Sequence, residues 1–449
     1  MRFNQLTAVS LFSTVILGIA QASLAQTQLH NFDFQGRFLA VLSDADMEAS
    51  AYIDGQLGGY PARGTASHRT SEMIDTLTLL PLGNEAVTPI SLPVSNSVMG
   101  WPNNLAFTPD GQFAFITETF APAPEGATLR SEIPSGQRLT VVSLSNLQQP
   151  QVVDQLDIGN EPRPVAVHPN GDLLVVSLRD PARPIAFIPF ENGELGTPIF
   201  QTLPGLNDPE ANASHIEWHP SGRFLGVTFA ETNETAFYEV DRTNRDRPQI
   251  RAWGNSIMTG KLPGVGHFTP DGRHFIVTNL LWGDDVELQY VGATYSYLSV
   301  IRFADTANSN NEVVHQIVAT APVGGSAEEF AISPDGQFVV SLNMEASYLP
   351  IDNPRLTRDS SLTLLSLNPE NGRLTSHSTT PFEGILPEGI TFDASGNYLA
   401  VAVFDYHDSA HDGGSVDFWQ LHRGESPSLE KLERSIPVRR GAHIIKLVQ

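Results

Sequence analysis

Hydrophobic residues recur at every second position in short runs along this chain, and the runs stop at Pro, Gly, Asn and Asp. That texture predicts half-buried and buried β-strands joined by tight turns rather than amphipathic helices. One unit recurs. It reads LAFTPDGQFAFI at 105–116, VAVHPNGDLLVV at 165–176, IEWHPSGRFLGV at 216–227, VGHFTPDGRHFIV at 265–277 and FAISPDGQFVVSL at 330–342. A looser copy, ITFDASGNYLAVAV, lies at 390–403, and the earliest, FDFQGRFLAVL at 32–42, lacks the proline. In each, an alternating strand runs into Pro-Asp/Asn/Ser-Gly and restarts as a Phe/Leu-rich strand. Proline presets φ, Asp or Asn closes a side-chain turn, and glycine accepts the positive φ.

After each hairpin come two further strand-like runs, as in SLTLLSLN (361–368) and RLTSHSTT (373–380). Four strands per unit, repeated about an axis, predict an all-β, seven-bladed β-propeller of four-stranded blades, with six or eight blades left open. The period of two excludes a helical solenoid, and the repetition argues against a sandwich. The closing segment IPVRRGAHIIKLV (436–448) resembles the approach to another first strand. A ring must hide its sheet edges, so His443–Val448 is expected to pair into the blade that contains Phe38–Ser43. Which terminal segment lies innermost stays open.

Composition adds three constraints. Arg2, an apolar run from Leu6 to Ala20 and Ser23-Leu24-Ala25 predict a signal peptide over 1–25, leaving 26–449 as one propeller domain. The expected location is secreted or periplasmic, with no membrane span in the mature chain and a monomeric state. With 0 cysteines, thiol catalysis and Cys-ligated zinc or iron–sulfur centres are excluded. A formal net charge of -24, without a basic stripe, argues against nucleic acid as a partner. A small molecule, a glycan or a protein remains as the ligand class.

The hairpins, with SAEEFAISPDGQFVVSLN (326–343), SSLTLLSLNPENGRLTS (360–376), LPEGITFDASGNYLAVAVFD (386–405) and GVGHFTPDGRHFIVTNLLWG (264–283), resemble YVTN-type propeller repeats. More narrowly they are similar to the lactonase-like propellers that include 6-phosphogluconolactonases and muconate-lactonising enzymes. The resemblance implies hydrolysis of lactones or related esters, and an Arg beside the proline that starts an inner strand. Pro162-Arg163 keeps that pair; Glu388 follows Pro387 instead, and Gly266-His267 stands where Arg-His is expected.

Residues that begin strand one and residues that leave strand two share the end opposite the Pro-Asp-Gly turns. This mouth is predicted to be polar and acidic. It contains Asp44, Asp46, Arg163, Arg179, His215, His267, Glu328, Glu329, Asp405, His407 and His443, and a ligand-binding set of Asn104, Glu118, Glu231, Asn279, Asn343, Glu345 and Glu388. Two readings follow. One is an exported binding propeller; the other is a hydrolase in which His215 or His267 is the base, Arg163 stabilises the oxyanion and Glu329 joins the catalytic set. His215 and Glu217, two apart on a strand, form a candidate base–orienter pair. Asp405, His407, Asp408, His411 and Asp412 crowd one loop, a candidate site for a divalent cation, calcium first. The Asp110, Asp271 and Asp335 turns and His219 are assigned to turn closure. The segments 49–72, 119–137 and 345–359 are expected to cap the mouth.

Overall fold

The computed structural model describes residues 33–57, 74–83, 87–97, 101–244, 247–282, 295–407, 411 and 413–449. The predicted signal peptide and residues 58–72 of the capping insertion lie outside them. Seven antiparallel sheets form the seven blades of a β-propeller, each built on four strands; blades 2 to 7 run in sequence order, and the sheets of blades 3 and 4 carry a fifth short segment. Blades 2 to 7 open on Leu105–Phe107, Val165–Val167, His215–Trp218, Pro263–Phe268, Ala327–Ile332 and Gly389–Phe392. Each first strand pairs with the strand that follows its hairpin. The six turn glycines of these hairpins have φ between 63 and 78°, the left-handed region that the repeat's glycine was expected to supply.

Blade 1 is built differently. Its strands Phe38–Ser43, Thr76–Pro81 and Ile90–Pro93 are joined by Ala442–Val448, which pairs antiparallel with Phe38–Ser43, Phe38 opposite Val448. The C-terminal strand occupies the innermost position and packs against the first strand of blade 7. This explains the missing proline in the first repeat. Gly36 lies in no hairpin, because the partner strand arrives from the other end of the chain, and Arg37 N–H donates to the Val448 carbonyl at 2.9 Å instead.

Seven apolar clusters fill the wedges between adjacent blades. Alternate residues of each strand enter the wedge on either side, so the period of two in the sequence becomes a ring of shared cores. On the hairpin face, His168 Nε2 donates to the Gly222 carbonyl at 2.9 Å and His219 Nε2 to Gly272 at 3.1 Å. These imidazoles tie each turn to the next blade. Asp110 accepts from Thr108 Oγ1 at 2.6 Å, and Asp271 does the same with Thr269.

Gly441 introduces the closing strand at φ 87°, and Asp44 N–H donates to its carbonyl at 2.9 Å. A Cβ here would collide with the Asp44 carbonyl oxygen. Gly441→Ala is expected to cost about 1–3 kcal/mol, read by urea denaturation. An unchanged midpoint would show that the closing turn is not under this constraint.

Candidate active site at the propeller mouth

Opposite the hairpin turns, the channel opens into a cavity of about 400 Å³. That volume falls in the range that holds a small ligand. Its polar lining is segregated. Glu328 of blade 6, Glu388 of blade 7, and Asp44 and His443 of blade 1 stand on one side. Arg163 and Arg179 of blade 3 stand on the other, with Glu161 and Glu231.

The acidic side is unusual in being both buried and crowded. Glu328 and Glu388 are 5% and 8% exposed and share a carboxyl–carboxyl hydrogen bond. Two carboxylates in contact away from water cannot both ionise, so one proton is held between them. Burial pushes Glu328 up to about 8, with Glu329 adding repulsion. Burial first, and then Glu328, lifts Glu388 well above the carboxylate range. Burial also depresses His443 to about 4, leaving a neutral ring. Its Nδ1 donates to the Gly441 carbonyl at 3.1 Å, and its Nε2 lies 3.3 Å from Asn104 Oδ1.

Behind Glu388 a second acidic group spans blade 1. Asp44, Asp46 and Asp75 bring one oxygen each within 4.8 Å of the others, all buried. Ser97 Oγ donates to Asp44 at 2.8 Å, and Asp75 accepts from the Ala45 and Asn96 amides at 3.0 Å each. Burial and then Asp46 raise Asp75 to about 7; burial and then Asp75 raise Asp44. Among the described residues this is the group with the donor set to hold a cation.

The residues expected at the mouth divide. Arg163, Glu231 and Glu388 line the cavity. Arg163 meets Glu161 at 3.4 Å, and its buried Nε has no acceptor among the described residues. Glu231 reaches Arg179 at 3.8 Å. Glu118 is buried, 4.0 Å from Arg138. Asn104 braces the site: its Nδ2 donates to the Asn96 carbonyl at 2.8 Å. Asn279 and Asn343 lie within their blades, bonded to Ser299 at 3.1 Å and Ser361 at 2.9 Å. Glu345 accepts from Ser361 Oγ at 2.6 Å and the Gly325 amide at 3.0 Å. These last three do not line the cavity.

His267 is not at the mouth. Its strand begins at Pro263, with a register shift before Gly266, so the ring sits deep in the channel beside the opening on the hairpin face. Nδ1 donates to Glu217 and Nε2 to Glu329, both at 3.0 Å. Burial opposes the charged ring, but the two carboxylates outweigh it and raise the pKa to about 10. An imidazolium with both N–H groups engaged cannot accept a proton, so the base role expected for His267, with Glu329 beside it, does not suit this geometry. His215 packs edge-on against His267, ring centres 5.3 Å apart. Burial and then His267 hold it well below the usual imidazole range. Glu217 bonds His267, not His215, which removes the expected base–orienter pair.

The candidate cation loop is only partly described. Asp405 is buried and accepts from its neighbouring Tyr406 amide at 2.7 Å; His407 is buried. His411 is exposed and stacks on Tyr406 at 3.8 Å. Asp408 and Asp412 lie outside the described residues. The sequence reading missed Asp75 and Ser97. Asp75 immediately precedes the strand Thr76–Pro81, and a carboxylate abutting an apolar strand was the available signal.

Between pH 7 and 9 the depressed histidines are neutral in both folded and unfolded chains. His267 and the Glu328–Glu388 pair keep protons in the folded state that the unfolded chain has released. Stability must fall as pH rises through this window, by roughly 3 kcal/mol or more. Denaturant titrations at the two pH values read this directly, and an equal or greater stability at pH 9 would contradict it.

The fold is a seven-bladed β-propeller similar to the lactonase-type propellers. A family model described as "Lactonase, 7-bladed beta-propeller" matches residues 297–409, about a quarter of the chain, and that segment holds Glu328 and Glu388. The periplasmic gluconolactonase PpgL of Pseudomonas aeruginosa is similar in structure at a TM-score of 0.59 and 17% identity, over 92% of this chain and 99% of that one. A Bacteroides fragilis protein assigned as a 6-phosphogluconolactonase aligns at a TM-score of 0.57 and 16% identity, over 92% and 98%. At such identity these structures establish the fold. No characterised protein matches by sequence. No helix among the described residues is long and apolar enough to cross a membrane.

Proposed function

We propose that this protein is an exported lactone hydrolase acting at the propeller mouth. The observation that carries this reading is the proton-sharing Glu328–Glu388 pair at the edge of a ligand-sized cavity, within the segment that matches the lactonase model. One proton on two carboxylates supplies an acid and a base at once. The ionised member removes a proton from water as the water oxygen attacks the lactone carbonyl carbon. The protonated member donates its hydrogen bond to the carbonyl oxygen, where the oxyanion develops. Collapse breaks the ring C–O bond, the ring oxygen leaves as an alcohol with a proton from the pair, and the carbonyl carbon becomes a carboxylic acid.

This assignment moves the base from the histidines to the glutamates. It requires activity to fall as the last shared proton is lost, on an alkaline limb set by the pair rather than by either residue. Proton release in a pH-stat, corrected for spontaneous ring opening, gives that profile. A rate that climbs steadily past pH 9 would overturn the acid role. Saturable lactone binding without turnover would return the protein to the binding-propeller reading.

A further inference from the structure

Beyond the seven wedge clusters lies an eighth apolar cluster that belongs to no blade interface. It is assembled from loops at the mouth: residues 47–57, 120–133, 280–282, 344–349, 385–386 and 404 contribute to it, together with Trp101. Several of its members line the cavity, among them Trp101, Phe120, Leu280, Trp282, Met344 and Tyr348. The polar ends of two aromatics are already spent. Trp282 Nε1 donates to Ser326 Oγ at 3.1 Å, and that hydroxyl lies 3.3 Å from Tyr348 Oη. The two rings stand 5.5 Å apart and give the cavity carbon surface rather than hydrogen bonds. Of the cavity arginines Arg130, Arg163 and Arg179, the last two already face a carboxylate: Glu161 lies 3.4 Å from Arg163 and 3.7 Å from Arg179.

We infer that the substrate is a neutral lactone with an alkyl or aryl substituent, not a polyhydroxylated or phosphorylated sugar lactone. This rests on the hydrolase reading for the reaction and on the loop cluster for the substrate. Sugar hydroxyls laid along the aromatic side would find no partner there, and each lost bond to water would go unrepaid. A phosphate would meet Glu328, Glu388 and Asp44 on one side and carboxylate-paired arginines on the other. An alkyl chain, by contrast, gains from every methylene laid on the wall. The lactone ring then lies at the acidic side, and the chain runs along the aromatic side.

The test is a substrate series on the mature full-length protein: γ-butyrolactone, γ-octalactone, γ-decalactone, γ-dodecalactone and glucono-δ-lactone. Binding of the matching lactams, which do not open under these conditions, is measured in parallel by calorimetry. The expected kcat/KM rises with chain length by up to about fourfold per methylene, the equivalent of ~0.8 kcal/mol, and exceeds that for the sugar lactone at least tenfold. Phe120→Ser and Met344→Gln should each flatten the slope. A flat series, or a preference for glucono-δ-lactone, overturns the substrate class and leaves hydrolysis standing. Chain-dependent lactam affinity without any turnover keeps the apolar ligand and removes the hydrolase. Lactams that bind no better as the chain lengthens overturn the inference outright.

Discussion

Replacing Glu388 by Gln should lower kcat/KM for an alkyl γ-lactone by about 10²–10⁴-fold, the range for loss of a positioned proton-transfer group. The same variant should be more stable than the wild type at pH 9, by roughly 1–3 kcal/mol. Both effects have one origin. Glu388 is 8% exposed and touches Glu328, so above the range where the pair holds its proton the fold must accept two buried charges in contact. Glutamine has nearly the same shape and carries no charge. Its amide donates to the Glu328 carboxylate, which can then ionise without the Glu388 charge against it. The variant thereby removes the shared proton that catalysis uses and the repulsion that the fold tolerates. A residue with only a structural role would lose stability when altered. Activity within a few fold of wild type would remove Glu388 from the chemistry, whatever the stability did.

His267→Gln should act in the opposite sense. The imidazolium bridges Glu217 and Glu329 at 3.0 Å on each side, about one-fifth exposed. Its removal leaves two carboxylates facing one another in the channel, a change expected to cost about 3–5 kcal/mol at pH 7. Adding Glu217→Gln should recover part of that loss, because the second charge then has less to repel it. Turnover by the folded fraction should stay within roughly threefold of wild type, since no His267 atom lines the mouth. A hundredfold fall in kcat with unchanged stability would restore His267 as the base and displace the glutamates.

The contrast between these residues shows where the sequence was readable. Hairpins and ring closure follow from local rules: a period of two, turn residues that tolerate one φ, and a closing segment that needs a partner edge. The same rules could not rank Leu29–Phe34 against His443–Val448 for the innermost place, because both alternate and neither carries a hairpin proline. His267 was misplaced for a different reason. The strand opens at Pro263, before the visible repeat, and the register shift between Pro263 and Gly266 moves the ring down the channel.

Glu328 and Glu388 were visible as acidic residues at strand starts, yet nothing local distinguished Glu328 from Glu329. The register shift between Ala327 and Glu329 lets these adjacent residues serve different ends of the channel, one toward Glu388 and the other toward His267. Asp75 joins Asp44 and Asp46 only through tertiary folding, across an insertion of varied sequence. The apolar wall was legible in part. Trp101, Phe120 and Trp282 stand in segments that otherwise read as loops, where large aromatics have no strand to complete.

In the proposed reaction, water opens a lactone at this mouth. The direct measurement is incubation of the mature protein with γ-decalactone in heavy-oxygen water, with the product analysed by mass spectrometry against Glu388→Gln and a protein-free blank. Enzyme-dependent hydroxy acid carrying one heavy oxygen in its carboxyl group is expected, made at a far lower rate by the variant. Ring-opened product no faster than the blank, or equal in wild type and variant, would contradict it.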